Sequence, residues 1–450
     1  MFYSTKIIAT LGPASSSQKI IRKMLKAGAG IFRINTAHKE TEYYDNLVSN
    51  IRAVSKEATI IVDLKGPEIR VKVKSETNVS KKDELWFGFT CKEKLSFNKN
   101  FIGQVKKGTK IFFEDGKYFG KIIDKGLGRI KIKFYDSFNL KCNTGINIPN
   151  IDFDFDTLTK KDKKIISWAK NKKIETYALS FCRSAKDIKE LRKKVGKDSI
   201  IIAKIESKQG VNNYSKILKE ADGIMIARGD LGAEIKRELI PLLQKKMIKE
   251  AINEGKFSIV ATQMLESMIK NKYPTRAEIS DIANSVLDGA DCLMLSGETA
   301  IGISPVDAVK EMRRSCEAVE ENIPNLVDMK LNENVSDSIT KSIYDLCNYL
   351  KADKIIAFTK SGYTCQMISR FRIPKPIIGL SWSKRTFVLL SFYFSVCPHI
   401  ISGAGKLLTG NKIKFFKREK LVKKGETVIV TGNLDSSQKQ HSNLIEVQKI

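Results

Sequence analysis

Eight cysteines in 450 residues include no Cys-x-x-Cys pair. That spacing excludes a zinc ribbon and a small disulfide framework, and it leaves the thiols as core side chains in a reducing compartment. Long apolar runs are missing too: the longest, Phe387 to Ile401, is interrupted by serines and by Pro398 and falls short of a membrane span. The opening MFYSTKII is too short for a signal peptide and leads straight into a strand-like run. A soluble cytoplasmic protein without a membrane partner is therefore expected. Acidic residues are in deficit, with 79 Lys and Arg against 50 Asp and Glu and a formal charge of +29. A basic surface binds polyanions through counterion release. Here, however, the lysines are scattered through helices and loops with no arginine-rich arm, aromatic-interleaved patch or nucleic-acid module. The reading is a solvated lysine-rich surface with no specific nucleic-acid partner. No internal repeat or extended low-complexity segment is evident.

What is present is an α/β rhythm centred on Ser199 to Glu234. Two apolar β-branched runs, Ile200 to Ile205 and Gly223 to Ala227, lack alternation and stand a helix's length apart, the pattern of buried parallel strands. The first carries Lys204 and Glu206 at its end, the second Arg228 and Asp230. The carboxyl edge of such strands is where α/β folds build sites. Glu206 and Asp230 are hard oxygen donors with no His or Cys near them in sequence, which suits Mg²⁺ or Mn²⁺ rather than Zn²⁺. Lys204 fits an anion such as a phosphoryl group, and inside an apolar strand its charge is costly without a partner or a task. The alternative is a surface ion pair at a strand end.

The same unit recurs along the chain, which is long enough for several domains. Thr5 to Thr10, Ile31 to Asn35, Thr59 to Asp63, Glu175 to Phe181, Ser258 to Thr262 and Asp291 to Leu295 complete a set of eight strands. A doubly wound sheet is the competing architecture. It does not explain why Arg33, Asp63, Ser180, Lys204, Glu206, Asp230, Thr262 and Ser296 all fall at the same point of their units. Between about Val71 and Pro149, short β-branched runs separated by Lys-Gly and Asp-Gly turns suggest a small all-β insert. From Ile323 to Asp337 the chain reads as a linker, after which α/β units resume. The fold class is thus α/β: a (β/α)8 TIM barrel (1–67 and 151–330), an inserted small β-barrel lid domain (68–150) and a C-terminal α/β domain (331–450). The turn Thr359 to Thr364 in the last domain could present N–H groups and hydroxyls to a phosphate, although an ordinary capped helix gives the same pattern.

KIESKQGVNN from Lys204, IMIARGDLGAEI from Ile224, the long run from Ala261 to Ala300, and DLKGPEIR from Asp63 closely resemble pyruvate kinases, in order from Thr5 to about Met312. The resemblance implies phosphoryl transfer from phosphoenolpyruvate to ADP, giving an enolate that is then protonated to pyruvate. It assigns Mg²⁺ or Mn²⁺ to Glu206 and Asp230 and the phosphoryl group to Lys204 and Arg33, with Ser180 close by. It gives the substrate carboxylate to the backbone of Ala227, Arg228, Gly229 and Asp230 and to Thr262, and proton delivery to Thr262 and Ser296. Arg70, His38 and Asn35 fall on the nucleotide side. Thr359, Ser361 and Thr364 match the loop that takes a phosphorylated-sugar effector, and a homotetramer is implied.

Two departures concern K⁺, for which the family offers Asn35, Asp63 and Leu64. The usual RxNxSH motif has Ala37 in place of the serine, and Asp63 is followed by Leu64 where threonine is usual. Glu68, in contrast, matches the K⁺-requiring members. A retained but weakened K⁺ dependence is expected. The alternative is a Mg²⁺-dependent enolpyruvate lyase or mutase on the same barrel, which would not need Lys204; a basic binding protein is a further rival, and the presence of Lys204, Glu206 and Asp230 together speaks against it.

Overall fold

The structure is a computed structural model that describes residues 2–37, 39–89, 93–114, 116–149, 151, 155–323, 331, 334–401, 412–433 and 442–450. Eight parallel strands close into a barrel. In chain order they are β1 (Lys6–Leu11), β2 (Ala29–Asn35), β3 (Thr59–Leu64), β4 (Thr176–Leu179), β5 (Ile200–Ile205), β6 (Gly223–Ala227), β7 (Phe257–Ala261) and β8 (Cys292–Leu295). Each pairs with the next, and β8 returns to β1. Helices between them start on local signals. Ser17 accepts from the Ile20 N–H, while Thr159 with Asp162 and Thr275 with Glu278 form capping boxes.

Two strands end sooner than the sequence suggests. β4 stops at Leu179 and β7 at Ala261, because Phe181 and Thr262 turn to φ of +52° and +68° and cannot continue an extended ladder.

Side chains alternate along a strand, and this places the site. The inward rows of Ile8, Ile31, Ile61, Ala178, Ile202, Met225, Ile259 and Met294 fill the barrel. Their outward neighbours, among them Ile7, Phe32, Ile60, Ile201 and Ile205, pack beneath the helices. Burying each such aliphatic side chain contributes about 2 kcal/mol. Two residues after an inward aliphatic residue comes the next inward position, at the barrel mouth. There the chain changes to Thr10, Arg33, Asp63, Ser180, Lys204 and Ser296.

The insert leaves after β3 and returns before β4. Its pairing gives a seven-stranded sheet and a two-stranded ribbon of Thr77–Val79 with Phe138–Leu140, wrapped around a separate core that includes Val71, Phe87, Phe113, Ile132 and Phe134. The thiols are not all core side chains: Cys142, on a turn of the insert, is exposed, while Cys182, Cys292, Cys316, Cys347 and Cys365 are buried.

The C-terminal sheet runs in the order Val396–Ile400, Ile377–Ser381, Lys354–Phe358, Thr427–Gly432, Leu444–Lys449, with only the last strand antiparallel. It packs on the amino-terminal end of the barrel, opposite the mouth. Phe257 at the start of β7 stacks on Phe392 with ring centroids 4.6 Å apart. Asp291, just before β8, accepts from the Arg372 guanidinium and the Phe394 N–H, each at 3.0 Å. The expected linker is partly helical: Asn334 accepts from the Asp337 N–H at 2.9 Å and caps a helix over Val335–Tyr349. Most of that segment lies outside the described residues.

Candidate active site

Five of the mouth residues form one buried charge cluster. Asp63, at the end of β3, binds a cation with each carboxylate oxygen: Arg33 Nε donates to Oδ2 at 2.6 Å and Lys204 Nζ to Oδ1 at 3.2 Å. Lys204 also pairs with Glu206 Oε1 at 2.9 Å and donates to Ser180 Oγ at 2.7 Å. Ser180 in turn lies 3.3 Å from Asp63 Oδ1. Arg33 Nη1 donates to Thr10 Oγ1 at 3.0 Å, and that hydroxyl donates to the Leu295 carbonyl, joining β2 to β1 and β8.

Two cations and two anions therefore balance in a space that water barely reaches, with Lys204 only 8 % exposed. An unbalanced charge there would be expensive. Burial alone would push Lys204 down, but the Asp63 and Glu206 carboxylates outweigh it, and Asp230 adds to them; the ammonium ends above its ordinary value and stays charged. Burial would push the Asp63 carboxyl up, but Lys204 and Arg33 overcome it and hold the group below the usual carboxylate range.

Glu206 is oriented by the backbone as well. The left-handed turn at Phe181 aims its N–H at Glu206 Oε2, 2.7 Å away. Asp230 lies in the first turn of the short helix Arg228–Glu234 that follows β6 directly, with Ala227 closing the strand. Arg228 points away from the charge cluster: its Nη1 donates to Asp281 at 2.6 Å and its Nη2 to the Thr262 carbonyl at 2.9 Å. The Gly229 N–H donates to Thr262 Oγ1 at 2.8 Å. Ser296 follows β8, with its N–H on Glu298 Oε2 at 2.7 Å.

A cavity of about 330 Å³ separates the barrel from the insert, bounded by Asp230, Glu234, Phe181 and Ser207 below and by Glu68, Arg70, Ile146 and Ile148 above. Arg70 binds Glu68 at 2.5 Å. Burial raises the Glu68 carboxyl above its usual value even though Arg70 opposes the shift. Asn35 closes β2 with its Oδ1 on the Ala37 N–H at 3.0 Å, and Leu64 closes β3 with a buried side chain. His38 lies outside the described residues. Thr359, Ser361 and Thr364 belong to the C-terminal domain, on the far side of the barrel from the cluster. Their hydroxyls already have partners: Thr359 Oγ1 accepts from the Gly362 N–H at 2.9 Å, Ser361 Oγ from the Tyr363 N–H at 3.4 Å, and Thr364 Oγ1 meets Ser442 Oγ at 2.6 Å.

Sequence reasoning missed Thr10 and Glu298. Thr10 was open to detection, since it stands two residues after the inward Ile8. Glu298 sits inside a helical turn, and nothing in the sequence marks it as reaching back to two loops.

Family models described as pyruvate kinase, barrel domain, and pyruvate kinase, alpha/beta domain, match residues 2–309 and 337–448. The chain belongs to the pyruvate kinase family. It is 33 % identical to the pyruvate kinase of Thermotoga maritima over 96 % of both chains. It is 34 % identical to that of Geobacillus stearothermophilus over 99 % of this chain and 80 % of the relative, and 32 % identical to that of Clostridium perfringens over 99 % of each. Membership in the pyruvate kinase family makes the chain a phosphotransferase, and the lyase or mutase alternative is not favoured. Among the described residues no helix is long and apolar enough to cross a membrane.

Proposed function

We propose that this chain moves the phosphoryl group of phosphoenolpyruvate onto ADP, the last step of glycolysis, with the charge cluster at the barrel mouth as the transfer site. One observation carries the assignment: Lys204 is a buried, charged ammonium at the head of an inward row, held by Asp63, Ser180 and Glu206. Phosphoryl transfer needs placement and charge rather than covalent chemistry from the protein. Lys204 meets the moving group from one side and Arg33 from the other, and Ser180 keeps the ammonium aimed. The backbone from Ala227 to Asp230 takes the substrate carboxylate together with Thr262. Thr262 and Ser296 guide a proton to the methylene carbon once the phosphoryl group has left. Arg70, Asn35 and His38 serve the nucleotide.

Glu206 and Asp230 offer only oxygen, and among the described residues no group of three or more His, Cys, Asp or Glu makes a complete metal cage. That donor set fits Mg²⁺ or Mn²⁺, which keep water and substrate oxygens in their shell. When bound, such an ion supplies charge neutralisation to the substrate oxygens. K⁺ finds a poorer site around Asn35, Asp63 and Leu64. Ala37 brings no hydroxyl where the family has serine, which supports a weakened dependence.

The test is Mn²⁺ binding followed by electron paramagnetic resonance. Saturable binding in the parent that is lost in Glu206→Gln and in Asp230→Asn supports the assignment; unchanged binding in both removes it. A cytoplasmic homotetramer is also proposed, to be checked by sedimentation. A phosphorylated-sugar effector at Thr359, Ser361 and Thr364 is proposed as well, and titration with sugar bisphosphates that gives no saturable response would eliminate it.

A further inference from the structure

The loops after β7 and β8 are tied together by a side chain that no step above uses. Glu298 is 2 % exposed, and its two carboxylate oxygens accept from different loops: Oε2 from the Ser296 N–H at 2.7 Å, Oε1 from the Leu265 N–H at 3.0 Å. Leu265 is itself fully buried, so the second contact anchors the β7 loop to the core.

That loop needs anchoring. Thr262 and Gln263 have φ of +68° and +55°, a region that residues with a Cβ rarely adopt and that a β-branched residue adopts least readily. Strain of this kind persists only where the surroundings over-determine it, and it clusters at functional sites. Here the surroundings act from two sides. Arg228 Nη2 donates to the carbonyls of Thr262 and Gln263 at 2.9 and 3.3 Å, and the Gly229 N–H holds Thr262 Oγ1 at 2.8 Å. On the other side Glu298 fixes the chain at Leu265. One rigid carboxylate therefore sets the spacing between the loop that carries Thr262 and the loop that carries Ser296.

We propose that Glu298 is a positioning residue for the protonation half of the reaction, locking Thr262 and Ser296 at the separation at which a proton is delivered to the methylene carbon. The proposal rests on the roles given above to those two residues. A carboxylate is required because both backbone donors need an acceptor. Glutamine has the same shape, but it turns an NH₂ toward one of the two N–H groups and releases that loop. A shift of about 1 Å in a reacting geometry can cost roughly 100-fold in rate.

The experiment follows exchange of the pyruvate methyl hydrogens with D₂O by NMR in the presence of Mg²⁺ and ATP, alongside steady-state kinetics. Glu298→Gln is expected to slow exchange and kcat together by about 10- to 100-fold, with KM for ADP within twofold of the parent and KM for phosphoenolpyruvate raised, because Thr262 also meets the substrate carboxylate. Glu298→Asp, whose shorter arm holds one loop at a time, is expected to behave alike and keeps the test open if the first variant does not fold. Thr262→Ala and Ser296→Ala run in parallel. If they slow exchange and the Glu298 variants do not, the inference is overturned while the assigned roles stand. If neither pair alters exchange, the roles themselves fail. Parallel losses in kcat, both KM values and thermal stability would make Glu298 merely structural and would also overturn the proposal.

Discussion

Asp63→Asn removes one negative charge from the centre of the cluster and almost nothing else in size. The cost can be worked from the contacts. In the parent, Oδ2 carries Arg33 at 2.6 Å and Oδ1 carries Lys204 at 3.2 Å. The amide still accepts on one side, but it turns an NH₂ toward the other cation, and the cluster changes from two cations facing two anions to two facing one. Breaking a buried pair by removing one partner costs about 3–5 kcal/mol; since one acceptor survives, about 3 kcal/mol is expected, read from urea unfolding by circular dichroism.

The loss should depend on pH. The folded Asp63 carboxyl lies below its ordinary value because Lys204 and Arg33 outweigh burial. Its contribution is therefore complete above about pH 4, the unfolded value for Asp, and disappears as pH falls through the lower folded value. Parent and variant should converge in acid. Catalysis should suffer as well, because the carboxylate sets the spacing of Arg33 and Lys204, the two cations proposed to meet the phosphoryl group. A misplacement of about 1 Å corresponds to roughly 100-fold in kcat/KM, measured by coupled pyruvate formation. Stability and activity both within threefold of the parent at pH 7 would refute the view that Asp63 organises the site.

Ser180→Ala removes the 2.7 Å acceptor of Lys204 while leaving both its carboxylate partners. A hydrogen bond to a charged group is worth about 1.5–3 kcal/mol, so kcat should drop roughly 10- to 100-fold with KM for ADP unchanged; a change in that KM alone would contradict the placement. Arg372→Met leaves Asp291 buried between barrel and C-terminal domain without its guanidinium. Burial already holds that carboxyl above its usual value despite Arg372. A loss of about 3–5 kcal/mol is expected, partly recovered by adding Asp291→Asn, and thermal unfolding showing no recovery would argue against the pair.

Much of the barrel was legible in the sequence because buried parallel strands are short, apolar and β-branched, and because each ends in a polar residue at the same point. Lys204 was conspicuous for a physical reason: a charge inside an apolar run has to be accounted for. The role of Asp63 was only half visible. Its family match suggested a cation ligand, but its position as the bridge between Arg33 and Lys204 follows from strand register around a closed ring, and a linear pattern does not carry that. Ser180 and Thr262 were placed at the right height, yet just inside strands that end before them, since left-handed turns at Phe181 and Thr262 have no signature in a chain without glycine there. In the insert the runs were visible and the pairing was not: Val71–Val73 pairs with Leu95–Phe97, and Ile146–Asn147 with the strand Lys110–Phe113, across loops whose lengths say nothing of order. Glu298 escaped because a buried acid that ties two loops looks, in sequence, like any helical glutamate.

The most direct test of the central claim is pyruvate formation from phosphoenolpyruvate and ADP with Mg²⁺, with and without K⁺, in the parent and in Lys204→Met. Methionine keeps the unbranched apolar stem and removes the ammonium, with its charge and its N–H donors. Turnover in the parent that falls by a thousandfold or more in the variant, about 4 kcal/mol of transition-state stabilisation, with both proteins equally folded and a less than tenfold gain from K⁺, is the predicted result. Equal turnover in the two proteins would contradict the claim that the buried ammonium of Lys204 serves the phosphoryl group.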